Sequence, residues 1–206
     1  MDLIWEQTLE HVYLTLIAVI GGIVISVILS LVALRWRRAY APITWVTGIL
    51  YTIPSLALFV VLVPITGLSV LTAEIGLVSY TLLILVRNIV TGIDGVAPYV
   101  LDAADGMGYT PRQRFTKVEI PLALPVIIAG IRLATVTVIG LVTVAALIGH
   151  GGLGFLILRG LSTFSSPIGT TQIFVGTVLS IVLAVAADLS LVGLERTLSP
   201  WKDAGT

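Results

Sequence analysis

Asp102-Ala103-Ala104-Asp105-Gly106-Met107-Gly108, followed after nine residues by Val118-Glu119-Ile120-Pro121, is a charged, glycine-broken island in a chain otherwise built of long apolar runs. The 206 residues are 57% hydrophobic and only 11% charged, whereas an ordinary soluble domain carries about 25% charge. So few charges cannot cover a water-facing surface. The hydropathy runs from end to end, so the expected architecture is one all-α, polytopic membrane bundle over residues 1–206, with the island exposed to water.

A helix needs about twenty apolar residues to cross a hydrocarbon core of roughly 30 Å, and five segments meet that need: 12–34, 43–65, 69–90, 122–148 and 171–194. Helices are expected because an open sheet edge is not tolerated in lipid. Pro64 and Gly67 supply a reversal after the second span. Glu74 and Arg87 bracket the third, which places both near the interfaces, where long side chains reach water. The N-terminal Asp2 and Glu6 stand where a secretory signal would be basic, so the first run is expected to be retained.

Nine of the eleven basic residues fall on one side of these spans: Arg35, Arg37, Arg38, Arg87, Arg112, Arg114, Lys117, Arg196 and Lys202. The excess of Lys and Arg in cytoplasmic loops then puts the N-terminus outside, and both the C-terminus and the loop 92–121 in the cytoplasm. A net charge of zero gives no electrostatic grip on nucleic acid. With no cysteine there is no disulfide, thiolate metal site or cysteine nucleophile.

Within the island, residues 100–107 and 111–118 read as two short helices, the second opening on proline, with Gly106 and Gly108 bending the chain between them. Taken alone this fits an amphipathic connector resting on headgroups. The residue order points elsewhere. It resembles the cytoplasmic loop of the membrane-spanning subunits of binding-protein-dependent ABC importers: Glu-Ala-Ala, three residues, Gly, nine residues, Ile, one residue, Leu-Pro. Here Asp102 replaces Glu, Val118 replaces Ile and Ile120 replaces Leu, at matching spacing, with Ala103, Ala104, Gly108 and Pro121 in place.

The resemblance implies that the loop is a coupling helix seated in a cleft of a separate ATP-hydrolysing subunit, with Met107, Tyr109, Arg112 and Phe115 as anchors. It also implies a second permease subunit and an extracytoplasmic substrate-binding protein, in a bacterial or archaeal plasma membrane. The chain has no G-x-x-x-x-G-K-[ST] phosphate cradle, so ATP and Mg would be held by the partner; no cofactor, metal site or catalytic residue is assigned to this chain. Tyr51 to Leu58, Val86-Arg87-Asn88, Ala129 to Arg132 and Ala145 to Gly154 extend the likeness to the osmoprotectant branch, permeases for glycine betaine, carnitine and choline. A permease of the same architecture for methionine, another amino acid or an oxyanion is the alternative, and a non-transporting membrane scaffold a second. Five spans without a two-half repeat argue against a secondary transporter.

Other residues carry two readings each. Arg132 stands seven residues beyond Pro125, and Asp188 lies at similar depth in the last span; they form an intramembrane ion pair or each snorkels toward the cytoplasm. Tyr51, Thr52, Ser55, Tyr80, Asn88, Thr135 and Thr137 line a passage or only bond between helices. Gly149-His150-Gly151-Gly152-Leu153-Gly154 reads as a flexible outer gate or receptor-facing loop, with His150 exposed and no ligand partner near it in sequence. No clustered aromatic trio is available as a cage for a quaternary ammonium ion.

Overall fold

Proline and glycine decide where the apolar runs break. The computed structural model describes residues 2–199; Lys202, counted above with the basic side, lies outside them. Among the described residues the regular structure is helical: α1 Asp2–Arg35, a 3-10 turn Arg37–Ala39, α2 Tyr40–Thr52, α3 Ser55–Thr66, α4 Val70–Asp94, α5 Pro98–Gly106, α6 Pro111–Arg114, a π turn Phe115–Glu119, α7 Ile120–Ala145, a 3-10 turn Ala146–Ile148, α8 Leu153–Ser162 and α9 Pro167–Leu198. Four helical stretches are long and apolar enough to span a membrane, and the bent pair α2–α3 is a fifth candidate, apolar enough when its two halves are taken together. The fold is an all-α membrane bundle.

The second expected span, 43–65, is not one helix. Pro54 has no N–H to donate and drives the preceding residue out of the helical region; Ile53 adopts φ −64°, ψ 129°, and α2 and α3 meet at 97°. Pro64 is absorbed in the last turn of α3, and the reversal falls on Gly67, whose φ of +73° no other residue adopts cheaply. Ser69 then caps α4, accepting from the Thr72 N–H at 3.3 Å.

The other spans outrun their expected limits. α1 starts at Asp2 rather than 12, its polar first turns carrying the helix on beyond the apolar run. The fourth does not begin at 122, and 111–118 is not a separate helix: one continuous stretch runs Pro111–Ile148. The junction is the π turn, where the Ile120 N–H reaches the Phe115 carbonyl five residues back. The loop 92–121 is correspondingly shorter, because α4 carries on to Asp94, and α9 extends both ways beyond 171–194.

α4 lies at the centre, packed on α1, α7, α2 and α3, while α9 leans on α7 and α8. Leu14, Ala18, Phe59, Leu77, Val138 and Val142 form the main core. Helices in lipid associate through close backbone approach at small residues: a Cβ on Gly130 would come 2.5 Å from that of Asn88. Glu74 does not reach water as expected of it. It is buried one turn inside α4, and its carboxylate oxygens have no hydrogen-bond partner among the described residues.

Gly149 to Gly154 is a packed seat, not a flexible loop. Gly149 (φ +89°) and Gly152 (φ +48°) turn the chain so that Gly152 abuts the His11 backbone and Gly154 abuts Thr143 of α7, both closer than any Cβ would permit. α8, which the sequence reading left unassigned, docks through this seat. His150 is half-buried, with Nδ1 3.8 Å from Glu10 Oε1. His11 is fully buried and its Nε2 lies 3.1 Å from the Ile139 carbonyl.

Candidate functional site

The motif-bearing segment is rigid for local reasons. α5 starts on Pro98 at its first position and ends in a Schellman turn: the Gly108 N–H donates to the Asp105 carbonyl at 3.0 Å and the Tyr109 N–H to the Ala104 carbonyl at 3.1 Å. Gly108 holds φ +81°, which explains the glycine at that spacing; Gly106 is ordinary helix. Thr110 then opens α6 with a capping box, its N–H donating to Gln113 Oε1 at 2.9 Å and its hydroxyl accepting from the Gln113 N–H at 3.4 Å.

Arg114 clamps the bend. Its Nη1 donates to Asp105 Oδ2 at 2.7 Å and its Nε to Glu119 Oε1 at 3.0 Å. One guanidinium thus joins the end of α5 to the π turn. Arg37 makes a second tie at the same end of the bundle, bonding both oxygens of Asp94 at 2.5 and 2.7 Å and so fastening the turn after α1 to the end of α4. Neither clamp was assigned from sequence; for Arg114 the available signal was opposite charges on the two sides of the glycine turn, whereas Arg37 and Asp94 stand 57 positions apart and carry no such mark.

The outward face of α5 carries Asp102 and Ala103 with Met107, which is 69% exposed, and Gly108 and Arg112 are exposed beside it. Tyr99 is 75% exposed and belongs to this face at helical spacing from Ala103 and Met107, though the sequence reading passed it over. Ala104 is buried beneath, and Tyr109 and Pro121 are half-buried. Phe115 departs from the expected role of anchor: it points inward, closing a carbon-lined crevice of about 300 Å³ together with Leu34, Ile93 and Ile120. Its place in the π turn rotates it off the exposed face.

Arg132 and Asp188 are in contact: Nε to Oδ1 at 2.8 Å and Nη2 to Oδ2 at 3.0 Å, a fork geometry that fixes orientation as well as charge. Glu195, two turns further along α9, adds a third charge at 3.6 Å from Nη1. The cluster opens on a groove of about 480 Å³ between α7 and α9 whose other walls are Ala129, Leu133, Val136, Ala184, Val185 and Leu189.

The remaining polar residues are only partly gathered. Tyr51 and Tyr80 meet edge to face, centroids 5.9 Å apart at 65°. The Tyr80 hydroxyl donates to the Ile53 carbonyl at the α2–α3 break, and Thr52 and Ser55 flank that break. Thr52 and Thr135 turn their hydroxyls onto carbonyls of their own helices, and Asn88 its amide. Thr135 is buried in the core and Thr137 is half-buried, its hydroxyl on Leu133; the structure does not bring them to the break. No group of three His, Cys, Asp or Glu side chains among the described residues is placed to hold a metal.

Comparisons with known proteins match this architecture. The family model described as "Binding-protein-dependent transport system inner membrane component" matches residues 22–200. The choline transport system permease protein OpuBB of Bacillus subtilis (strain 168) is 39% identical, over 94% of this chain and 88% of that protein. The glycine betaine/carnitine/choline transport system permease protein OpuCB of the same organism is 37% identical, again over 94% and 88%. The osmoprotectant import permease protein OsmW of Salmonella typhimurium is 39% identical over 94% and 90%. Among solved structures, a chain of the MetNI methionine ABC transporter in an inward-facing conformation superposes with TM-score 0.80, covering 96% of this chain and 97% of that one at 20% identity, a likeness of fold. With its bent second span, its rigid motif-bearing turn and a family match over nearly all of its length, the chain belongs to the inner membrane components of binding-protein-dependent transport systems.

Proposed function

We propose that this chain forms part of the passage of an ATP-driven importer for a quaternary ammonium compatible solute such as choline, glycine betaine or carnitine. The observation that carries the substrate class is the agreement among relatives at 37–39% identity, whose names state choline transport, glycine betaine/carnitine/choline transport and osmoprotectant import. A second permease chain, identical or paralogous, completes the passage, and an extracytoplasmic binding protein delivers the solute.

In this reading the basic end of the bundle is cytoplasmic, following the bias of Arg and Lys. The outward face of α5, with Asp102, Ala103, Met107 and Tyr99, docks on an ATPase subunit that holds ATP and Mg; the capped turn at Gly108 and the Arg114 clamp keep that face in one shape. ATP-driven closure of the ATPases moves α5 and α6, and with them the helix that begins at Pro111, alternating access to the passage.

The test is uptake into vesicles containing the permease, its ATPase and its binding protein, with choline, glycine betaine, carnitine and methionine offered separately. ATP-dependent accumulation of the first three and not of methionine is expected. Accumulation of methionine alone would refute the substrate class, and ATP turnover unaffected by any solute would favour a scaffold.

A further inference from the structure

The break between α2 and α3 presents a problem that the bundle itself does not solve. α2 leaves the basic end at Tyr40, so Thr52 lies about 18 Å along it at 1.5 Å per residue, past the midpoint of a roughly 30 Å core. There the helix stops. The last four carbonyls of a helix have no intrahelical donor, and Pro54 brings no N–H to replace one. Thr52 Oγ1 donates to the Ile49 carbonyl at 2.8 Å and Tyr80 to that of Ile53. Tyr51, Thr52 and Pro54 are nevertheless exposed. Irregular backbone at membrane depth is tolerated only where protein covers it or where it lines a watery cavity.

We infer that this break is a solute station of the passage, where Tyr51 and the carbonyl end of α2 hold the quaternary ammonium group. The inference rests on the function proposed above and adds the site. Three features converge on a cation without hydrogen-bond donors. Tyr51 is 39% exposed while Tyr80 is 5% exposed, so Tyr80, tied to Ile53, serves as the buttress that sets the Tyr51 ring on edge at 65° and leaves that ring accessible. A ring face attracts an onium ion through its quadrupole. The C-terminal end of α2 contributes partial negative charge aimed at the same place, and residues 39–86 contain no Lys, Arg or His to compete. The sequence offers no clustered aromatic trio as a cage, and the station is not one: a single accessible ring, set by a second ring 29 positions away, is supplemented by backbone.

The experiment uses the assembled permease–ATPase complex in nanodiscs without the binding protein, which would otherwise impose its own selectivity. Saturation-transfer NMR titrates choline against 3,3-dimethylbutan-1-ol, its uncharged carbon isostere. The intact complex should bind choline more tightly, Tyr51→Leu should weaken choline roughly tenfold with little effect on the isostere, and Tyr51→Phe should keep the preference. If Tyr51→Leu does not assemble, Tyr51→Trp decides, because a larger ring face should hold or raise the preference; a fall would overturn the site. Equal binding of the two alcohols by the intact complex, or a choline preference surviving in Tyr51→Leu, also overturns it. Choline uptake by the complete importer is measured in parallel: uptake present without the NMR preference refutes this site alone, and uptake absent refutes the parent function.

Discussion

Replacing Gly154 with alanine should push α8 off its seat on α7. A Cβ at Gly154 would lie 2.3 Å from the Thr143 carbonyl oxygen and 2.5 Å from the Thr143 Cα, whereas carbon–oxygen contacts settle near about 3.3–3.6 Å. Relief requires a movement of about 1 Å. Both sides of the contact are helix main chain, so no side-chain rotation can supply it. Overpacking of this kind costs about 1–3 kcal/mol, and in a chain of this size each kcal/mol moves Tm by about 2–4 °C. Thermal unfolding in nanodiscs, followed by intrinsic tryptophan fluorescence, should therefore show Gly154→Ala melting roughly 2–12 °C low. Gly140→Ala on α7 is the control: nothing lies within 4 Å of its would-be Cβ, and alanine favours helix over glycine by up to about 1 kcal/mol, so its Tm should hold or rise. Coincident melts for the two variants would refute the packed seat and return residues 149–154 to a mobile gate.

Removing one member of the α7–α9 ion pair should be worse than removing both: Arg132→Leu leaves Asp188 and Glu195 facing each other, and the yield of monodisperse protein should fall, recovering in part in the double variant with Asp188→Leu. Purely additive losses would show that the two are uncoupled. Arg114→Gln severs the bonds to Asp105 and Glu119 together; the bundle should still fold, while solute-stimulated ATP turnover of the reconstituted complex should drop roughly fivefold or more, and undiminished turnover would remove the clamp from the coupling path. Glu74→Met replaces a buried, unpartnered carboxylate with a side chain of similar length and should raise Tm; a lower Tm would reveal a partner that only the assembled transporter supplies.

What the sequence made legible was whatever depends on composition and spacing. Apolar runs of membrane length gave the all-α bundle, and the order from Asp102 to Pro121 gave the family. Boundaries were less visible because they turn on single residues. Pro54 and Pro64 look alike in sequence, yet only Pro54 breaks its helix; Pro64 gives up one intrahelical bond, and the Gly67 N–H still closes the last turn of α3 on the Val63 carbonyl at 2.8 Å. The π turn at Phe115–Glu119 has no compositional mark, so a continuous helix was divided into a short one and a span. The seat at Gly149 to Gly154 was misjudged for a different reason: glycine permits both mobility and close approach, and only the positions of His11 and Thr143 decide between them. Contacts between distant segments, such as Arg37 with Asp94 or Tyr51 with Tyr80, depend on how the chain returns on itself. Depth in the membrane was enough to name Arg132 and Asp188 together, but not to foresee Glu195.

The uninterrupted run from Pro111 to Ile148 has a mechanical consequence. At 1.5 Å per residue it is a rod of about 57 Å, joined at one end to the capped α5–α6 turn and carrying Arg132 along its length and the Thr143 seat of α8 near the other. The Arg132–Asp188 pair and the α8 seat are therefore joined to the α5–α6 turn by unbroken helix, with no loop between them. The π turn also sets which way the rod faces: it holds one residue beyond the α register, so the helix past Glu119 is turned by about 100° from where an unbroken α-helix starting at Pro111 would place it, and Arg132 faces Asp188 in that setting. Reach and facing are thus set by separate parts of a single helix.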